Sequence, residues 1–154
     1  MDTLKGLIGE LQNNNIAIYL PRDVVVAKEF SQYTNETDTV SLANVPDGWY
    51  IMDIGHETID NYTEGISGCK TIIWNGPMGV FEFDIFANGT KGVASAIAGV
   101  EGVTLVGGGS TYEAMEELDL TSKVTHVSTG GGASLEFLGG KSLPGIDVIP
   151  DRMY

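Results

Sequence analysis

Two hydrophobic rhythms alternate along this chain. Short runs of β-branched and aromatic residues end abruptly in glycine, and stretches with apolar residues three and four apart follow them. The first rhythm predicts strands and the second predicts helices. Thr71-Ile72-Ile73-Trp74 suits a strand buried on both faces. It runs into Asn75-Gly76-Pro77-Met78-Gly79, a turn cluster with two glycines and a ring that fixes φ. Val80-Phe81-Glu82-Phe83 then sets one carboxylate among large apolar side chains. Two later stretches repeat the grammar. Val103-Thr104-Leu105-Val106 ends in Gly107-Gly108-Gly109-Ser110-Thr111, and Val124-Thr125-His126-Val127-Ser128 ends in Thr129-Gly130-Gly131-Gly132, each followed by a helical pattern.

The remaining elements are placed by the same two periods. Leu4, Leu7, Ile8 and Leu11 share a helix face that Asp2 or Thr3 can cap, and Asn13-Asn14-Asn15 stops it. Ile16-Ala17-Ile18-Tyr19-Leu20 reads as a strand closed by Pro21. Val24-Val25-Val26 and the residues after it are open between strand and helix start. The polar residues 31–39 predict a loop, and Val45-Pro46-Asp47-Gly48 a turn feeding a strand over 49–55. Helices are expected over 58–66, over 86–98 with Val93, Ala96 and Ile97 on one face and Gly99 at its end, over 112–118, and over 133–138. Residues 140–154 read as a tail laid over the surface. Strands and helices alternating at this spacing predict an α/β fold, a parallel sheet with flanking helices.

Composition narrows the partners. Eight Lys plus Arg stand against 21 Asp plus Glu, a net charge of -13 spread without blocks. Nucleic acid and anionic membranes are poor matches for such a surface. A single cysteine, Cys69, excludes an internal disulfide framework, suits a reducing compartment and reads as packing. No apolar run is long enough for a bilayer and no signal peptide opens the chain, so a cytoplasmic location is expected.

Glycines between a strand and a helix let successive N–H groups point at an anion, where the helix N-terminus adds favourable partial charge. Gly130-Gly131-Gly132 is such a candidate phosphate cradle. Close packing of helix on sheet explains the same glycines equally well. Neither G-x-x-x-x-G-K-[ST] nor a G-x-G-x-x-G with its downstream acid is present.

Longer motifs carry more. Trp74-Asn75-Gly76-Pro77-Met78-Gly79-Val80-Phe81-Glu82, Gly107-Gly108-Gly109-x-Thr111, Val127-Ser128-Thr129-Gly130-Gly131-Gly132-Ala133-Ser134-Leu135-Glu136 and Gly140-Lys141-x-Leu143-Pro144-Gly145 resemble the phosphoglycerate kinase family in order and spacing. Leu20-Pro21-x-Asp23-Val24-Val25-Val26-Ala27, Pro46-Asp47-Gly48-Trp49 and Asp53-Ile54-Gly55 extend the likeness over nearly the whole chain. The resemblance implies phosphoryl transfer between 1,3-bisphosphoglycerate and ADP in glycolysis, with Mg-ADP and Mg-ATP as substrates. It covers only the later part of the family's C-terminal domain. Residues 1–154 are therefore expected to form a single, partial nucleotide-binding domain of Rossmann-like type.

By that resemblance Asn75, Gly76, Pro77 and Val80 lie along the nucleotide, with Met52 at the base. Glu82 accepts the ribose hydroxyls. Gly108, Gly109, Ser110 and Thr111 sit beside the phosphates. The backbone of Gly130, Gly131 and Gly132 stabilises the phosphoryl group in transit, a mostly electrostatic role. Three departures accompany the match. Ser110 stands where the family has Asp for the metal, so no metal ligand is assigned. Ile51-Met52 replaces Gly-Leu against the base. His56 replaces proline and reads as an exposed loop residue, while His126 reads as a hydrogen-bonded core residue.

The resemblance leaves out the phosphoglycerate domain and the lysine-bearing first strands of the nucleotide domain, so this chain alone is not expected to complete a catalytic cycle. In a doubly wound order 3-2-1-4-5-6 the missing strands are central. The strands then close up, a second chain supplies partners, or an edge stays open. Two functions follow: a nucleotide-binding portion of a phosphoglycerate kinase, or a non-catalytic scaffold that keeps the fold.

Overall fold

Three consecutive valines, Val24, Val25 and Val26, form the middle of an antiparallel sheet in the computed structural model, which describes residues 2–150. β1 (Asp23–Ala27) pairs on one side with β2 (Thr37–Ser41) and on the other with β3 (Tyr50–Ile54), with a register shift between Val25 and Val26 on the β3 side. The valines thus resolve to a strand. β2 corrects the expected loop over 31–39. An edge strand with solvent on its outer side carries polar residues without penalty, and Thr37, Thr39 and Val40 still supply β-branched stiffness.

The second sheet is parallel. β4 (Thr71–Asn75), β5 (Val103–Gly107) and β6 (His126–Ser128) lie in that order, linked through α3 (Asn88–Ala98) and α4 (Gly109–Glu117) as a βαβαβ unit. The α/β reading therefore holds, with an antiparallel sheet added that hydrophobic alternation alone did not separate from the first. α1 (Asp2–Asn13) leads the chain and α2 (His56–Ser67) joins the two sheets. α5 (Gly132–Leu138) and α6 (Pro144–Asp147) follow β6. The side chains of Asp2 and Thr3, on which the expected cap rests, and residues 151–154 of the expected tail are outside what the structure describes.

One core joins the layers. Trp74 of β4 and Val106 of β5 pack on Val93, Ala94 and Ile97 of α3, Met115 of α4 and Ile54 of β3. A second cluster sets Met52 of β3 and Ala27 of β1 against Phe86. The opposite face of the parallel sheet is open, with Ile73 49% exposed. Burial of Thr71-Ile72-Ile73-Trp74 on both faces is accordingly corrected. His126 lies on that open face, in register with Leu105, so it is an exposed residue and not the core residue expected.

Ile16-Ala17-Ile18-Tyr19-Leu20 is not a strand. It runs past α2, where the Tyr62 hydroxyl donates to the Tyr19 carbonyl at 3.3 Å, and finds no sheet partner among the described residues. Strand propensity without a neighbour to pair with leaves only an extended segment, and Ile16, Ile18 and Leu20 stay exposed. β4 likewise has a strand on one side only, so the gap does not close.

The helices borrow caps from β1 and β3. α2 and α3 have no side-chain cap at their own N-cap residues, Gly55 and Ala87. Asp23 of β1 takes the N–H groups of Glu57 and Thr58 at 3.2 and 2.8 Å. Asp53 of β3 takes the N–H of Gly89 at 2.8 Å. A Cβ on Gly55 would stand 2.1 Å from the Asp23 carboxylate, and one on Gly89 would stand 2.2 Å from that of Asp53, so glycine is what admits each carboxylate to its helix end.

Candidate functional site

The register of the parallel sheet aligns its strand tips. Asn75 pairs with Gly107, and Gly107 with Ser128, so three carboxyl ends stand side by side and three glycine loops leave from one edge. In open α/β sheets, ligands bind beyond that edge.

The loop after β4 is pinned at every second amide. Gly76, with φ +102°, donates its N–H to Thr111 Oγ1 at 2.8 Å. Met78 donates to Thr90 Oγ1 at 3.1 Å. Val80 donates to the Met52 carbonyl at 2.8 Å. Three elements, α4, α3 and β3, thereby fix one stretch of six residues, 75–80. Glu82, just beyond, is exposed, and Pro77 is half-buried.

The loop after β5 turns at Gly108, whose φ of +96° favours glycine, and α4 starts at once. A Cβ there would lie 3.3 Å from Asn75 Oδ1 and 3.4 Å from Thr111 Oγ1, so this turn also presses on its neighbour loop. No side chain caps α4. The amides of Gly109, Ser110 and Thr111 open its first turn, where no intrahelical carbonyl can reach them, and they carry the helix's positive end. Gly109 and Ser110 are exposed, whereas Thr111 is buried and occupied with Gly76.

After β6, Gly130 donates its N–H to Ser128 Oγ at 3.2 Å, and Gly131 takes φ +50° as the N-cap of α5. A Cβ on Gly130 would stand 2.8 Å from Ser134 Oγ. Gly130 and Gly132 are exposed and Gly131 is half-buried, so this turn is open to solvent.

Four of the expected site residues line hollows, two in each. Asn75 and Gly130 line one of about 420 Å³, together with Gly107, Ser128, Leu105 and Leu135. Met52 and Val80 line another of about 390 Å³, beside Ile51 and Met78. Met52 is 1% exposed and its side chain belongs to the core. Gly76, Pro77, Glu82, Gly108, Gly109, Ser110, Thr111, Gly131 and Gly132 border neither hollow.

The amide ends of the α4 and α5 turns contribute positive partial charge at this edge. Lys91 pairs with Asp84 at 3.4 Å and Lys141 with Glu136 at 3.2 Å. Among the described residues no group of three His, Cys, Asp or Glu could hold a metal ion. The buried Asp53 is the one carboxylate beneath the loops: desolvation pushes its carboxyl above the ordinary value, against the pull of the Gly89, Ile54 and Asn88 amides.

The sequence model of the phosphoglycerate kinase family matches residues 1–141. The chain belongs to the phosphoglycerate kinase family. A phosphoglycerate kinase from Herpetosiphon aurantiacus is 51% identical over 146 residues, covering 95% of this chain and 37% of that protein. One from Moorella thermoacetica is 47% identical over the same length, again 37% of its own. The structure of phosphoglycerate kinase from Coxiella burnetii superimposes with a TM-score of 0.88 at 38% identity, over 95% of this chain and 38% of that one. The Pyrococcus horikoshii phosphoglycerate kinase gives a TM-score of 0.72 at 33% identity. The chain thus spans little more than a third of the phosphoglycerate kinases it resembles.

Thr90 and Asp53 were not singled out as site residues from the sequence. A threonine three residues into a helix and an aspartate inside a strand carry no local signal, and their partners lie 12 and 36 positions away.

Proposed function

We propose that this chain is the nucleotide-holding portion of a phosphoglycerate kinase, which binds Mg-ADP or Mg-ATP at the carboxyl edge of β4, β5 and β6. The alignment of Asn75, Gly107 and Ser128 across that edge carries the reading. It sets the uncapped start of α4 and the Gly130-Gly131-Gly132 turn beside one another, where amides can face phosphate oxygens. Asn75, Gly76, Pro77, Val80 and Glu82 lie along the base and ribose, with Met52 as packing beneath. Magnesium arrives on the nucleotide's phosphates as part of the substrate, and Ser110 offers it a neutral oxygen where a hard dication prefers a carboxylate. In the family's reaction the phosphoryl group moves between 1,3-bisphosphoglycerate and ADP. Here the chain's share is to hold and orient the nucleotide and to place backbone dipoles near the moving group.

Calorimetric titration with Mg-ADP tests this. Heat of binding is expected, and it should vanish in Gly131→Asp, which sets a carboxylate and a strained φ into the turn, and weaken in Glu82→Ala. Ser110 and the half-exposed Ile51 favour a second reading, a scaffold that keeps the fold without turnover. Silence at millimolar Mg-ADP would select that one.

A further inference from the structure

We propose that Thr90 is a positioning residue for the nucleotide: it holds the 75–80 loop in its one conformation without touching the ligand. The inference rests on the nucleotide reading above for its consequence, and on geometry for its cause.

The amides at 76, 78 and 80 each meet an acceptor from a different element, and between the first two sits Pro77, which has no N–H. The acceptor at 80 is a main-chain carbonyl, and the acceptor at 76 belongs to Thr111, whose own amide lies in the candidate phosphate turn. The middle acceptor is different. Thr90 is 1% exposed and lies on α3. Its anchorage is firm, because the preceding residue, Gly89, donates to Asp53 Oδ2 at 2.8 Å. Asp53 also fills the place a Cβ would take on Gly79, 2.4 Å from its Oδ1. The Met78 amide is thus held by a fixed hydroxyl, and the next residue, Gly79, lies against a fixed carboxylate. The ring of Pro77 on one side and Val80 on the other inherit their orientation from it.

Replacing the hydroxyl by a methyl group keeps the shape and removes the acceptor, which leaves a part-buried N–H unpaired or forces the loop outward. Thr90→Val in the full chain should speed amide exchange at Met78 and weaken Mg-ADP binding about tenfold, the equivalent of one lost hydrogen bond. Thr90→Ser, which keeps the oxygen, should restore both. Should the valine variant not fold, Thr90→Ala with the same serine comparison gives the same reading. Unchanged Met78 exchange in the valine or alanine variant overturns the proposal, as does altered exchange with unaltered affinity. A wild-type chain that binds no Mg-ADP overturns the nucleotide reading instead, and the hold of Thr90 on the loop is then decided by exchange alone.

Discussion

Asp23 and Asp53 do the same mechanical work under opposite electrostatics. Burial works against the charge of Asp23, but the Thr58 hydroxyl, the amides of Thr58 and Glu57 and nearby His56 outweigh it and hold its carboxyl below the ordinary 3.8. Burial dominates at Asp53 and raises it. The signs follow from linkage. A lowered carboxyl gives stability that is complete above the unfolded value and is lost as pH falls through the lower native one. A raised carboxyl makes the native state take up its proton first, so its contribution grows as pH falls toward 3.8. Acid thus withdraws the support of Asp23 while relieving Asp53. Asp23→Asn turns one of two paired acceptors into a donor facing an N–H. It should cost about 1–3 kcal/mol at neutral pH, since each buried unpaired group costs about that much. Urea unfolding at neutral pH and again near the ordinary carboxylate value checks it, and the gap between variant and wild type should narrow in acid.

At the level of elements, α2 and α3 pack closely because Gly92 gives α3 a bare spot. A Cβ there would stand 2.6 Å from Cγ2 of Ile59, a β-branched side chain with little freedom to turn aside. Gly92→Ala gains about 1 kcal/mol of helix propensity and loses about 2 to overpacking, a net destabilisation. In an Ile59→Ala background the clash is gone and the same change should stabilise. Thermal unfolding of the four variants gives the coupling energy, and additivity would refute the contact. The same scale shows what was legible in the chain. The strands β4, β5 and β6 were legible because each carries β-branched residues and runs into a glycine turn, though β6 is shorter than expected and β4 is covered on one face only, and α3 because Val93 and Ile97 repeat at helical spacing. β2 was missed because an edge strand need not be apolar, and Ile16-Ala17-Ile18-Tyr19-Leu20 was misread because pairing is a property of the neighbour as much as of the strand. The glycine turns announced the edge. The buried Thr90 and Asp53 that position it did not, since a polar residue declares its purpose only when its distant partner is in place.

As a whole the molecule is two sheets held by shared helices and a mixed core, with a net charge of -13 and a candidate edge whose proposed hold on phosphate is main-chain dipoles. Most phosphate sites draw their ligand in with lysine or arginine, and salt weakens them by screening that attraction. Here Lys91 and Lys141 are matched to carboxylates, and the far field of the molecule repels an anion. Added salt should therefore mask the repulsion and leave the short-range grip of the amides nearly untouched. Over a rise in ionic strength from about 0.01 to 0.1 M, where the Debye length shrinks from about 30 to 10 Å, the dissociation constant for Mg-ADP should fall. A rising constant would mean that some cation, and not the turn of a glycine loop, does the holding.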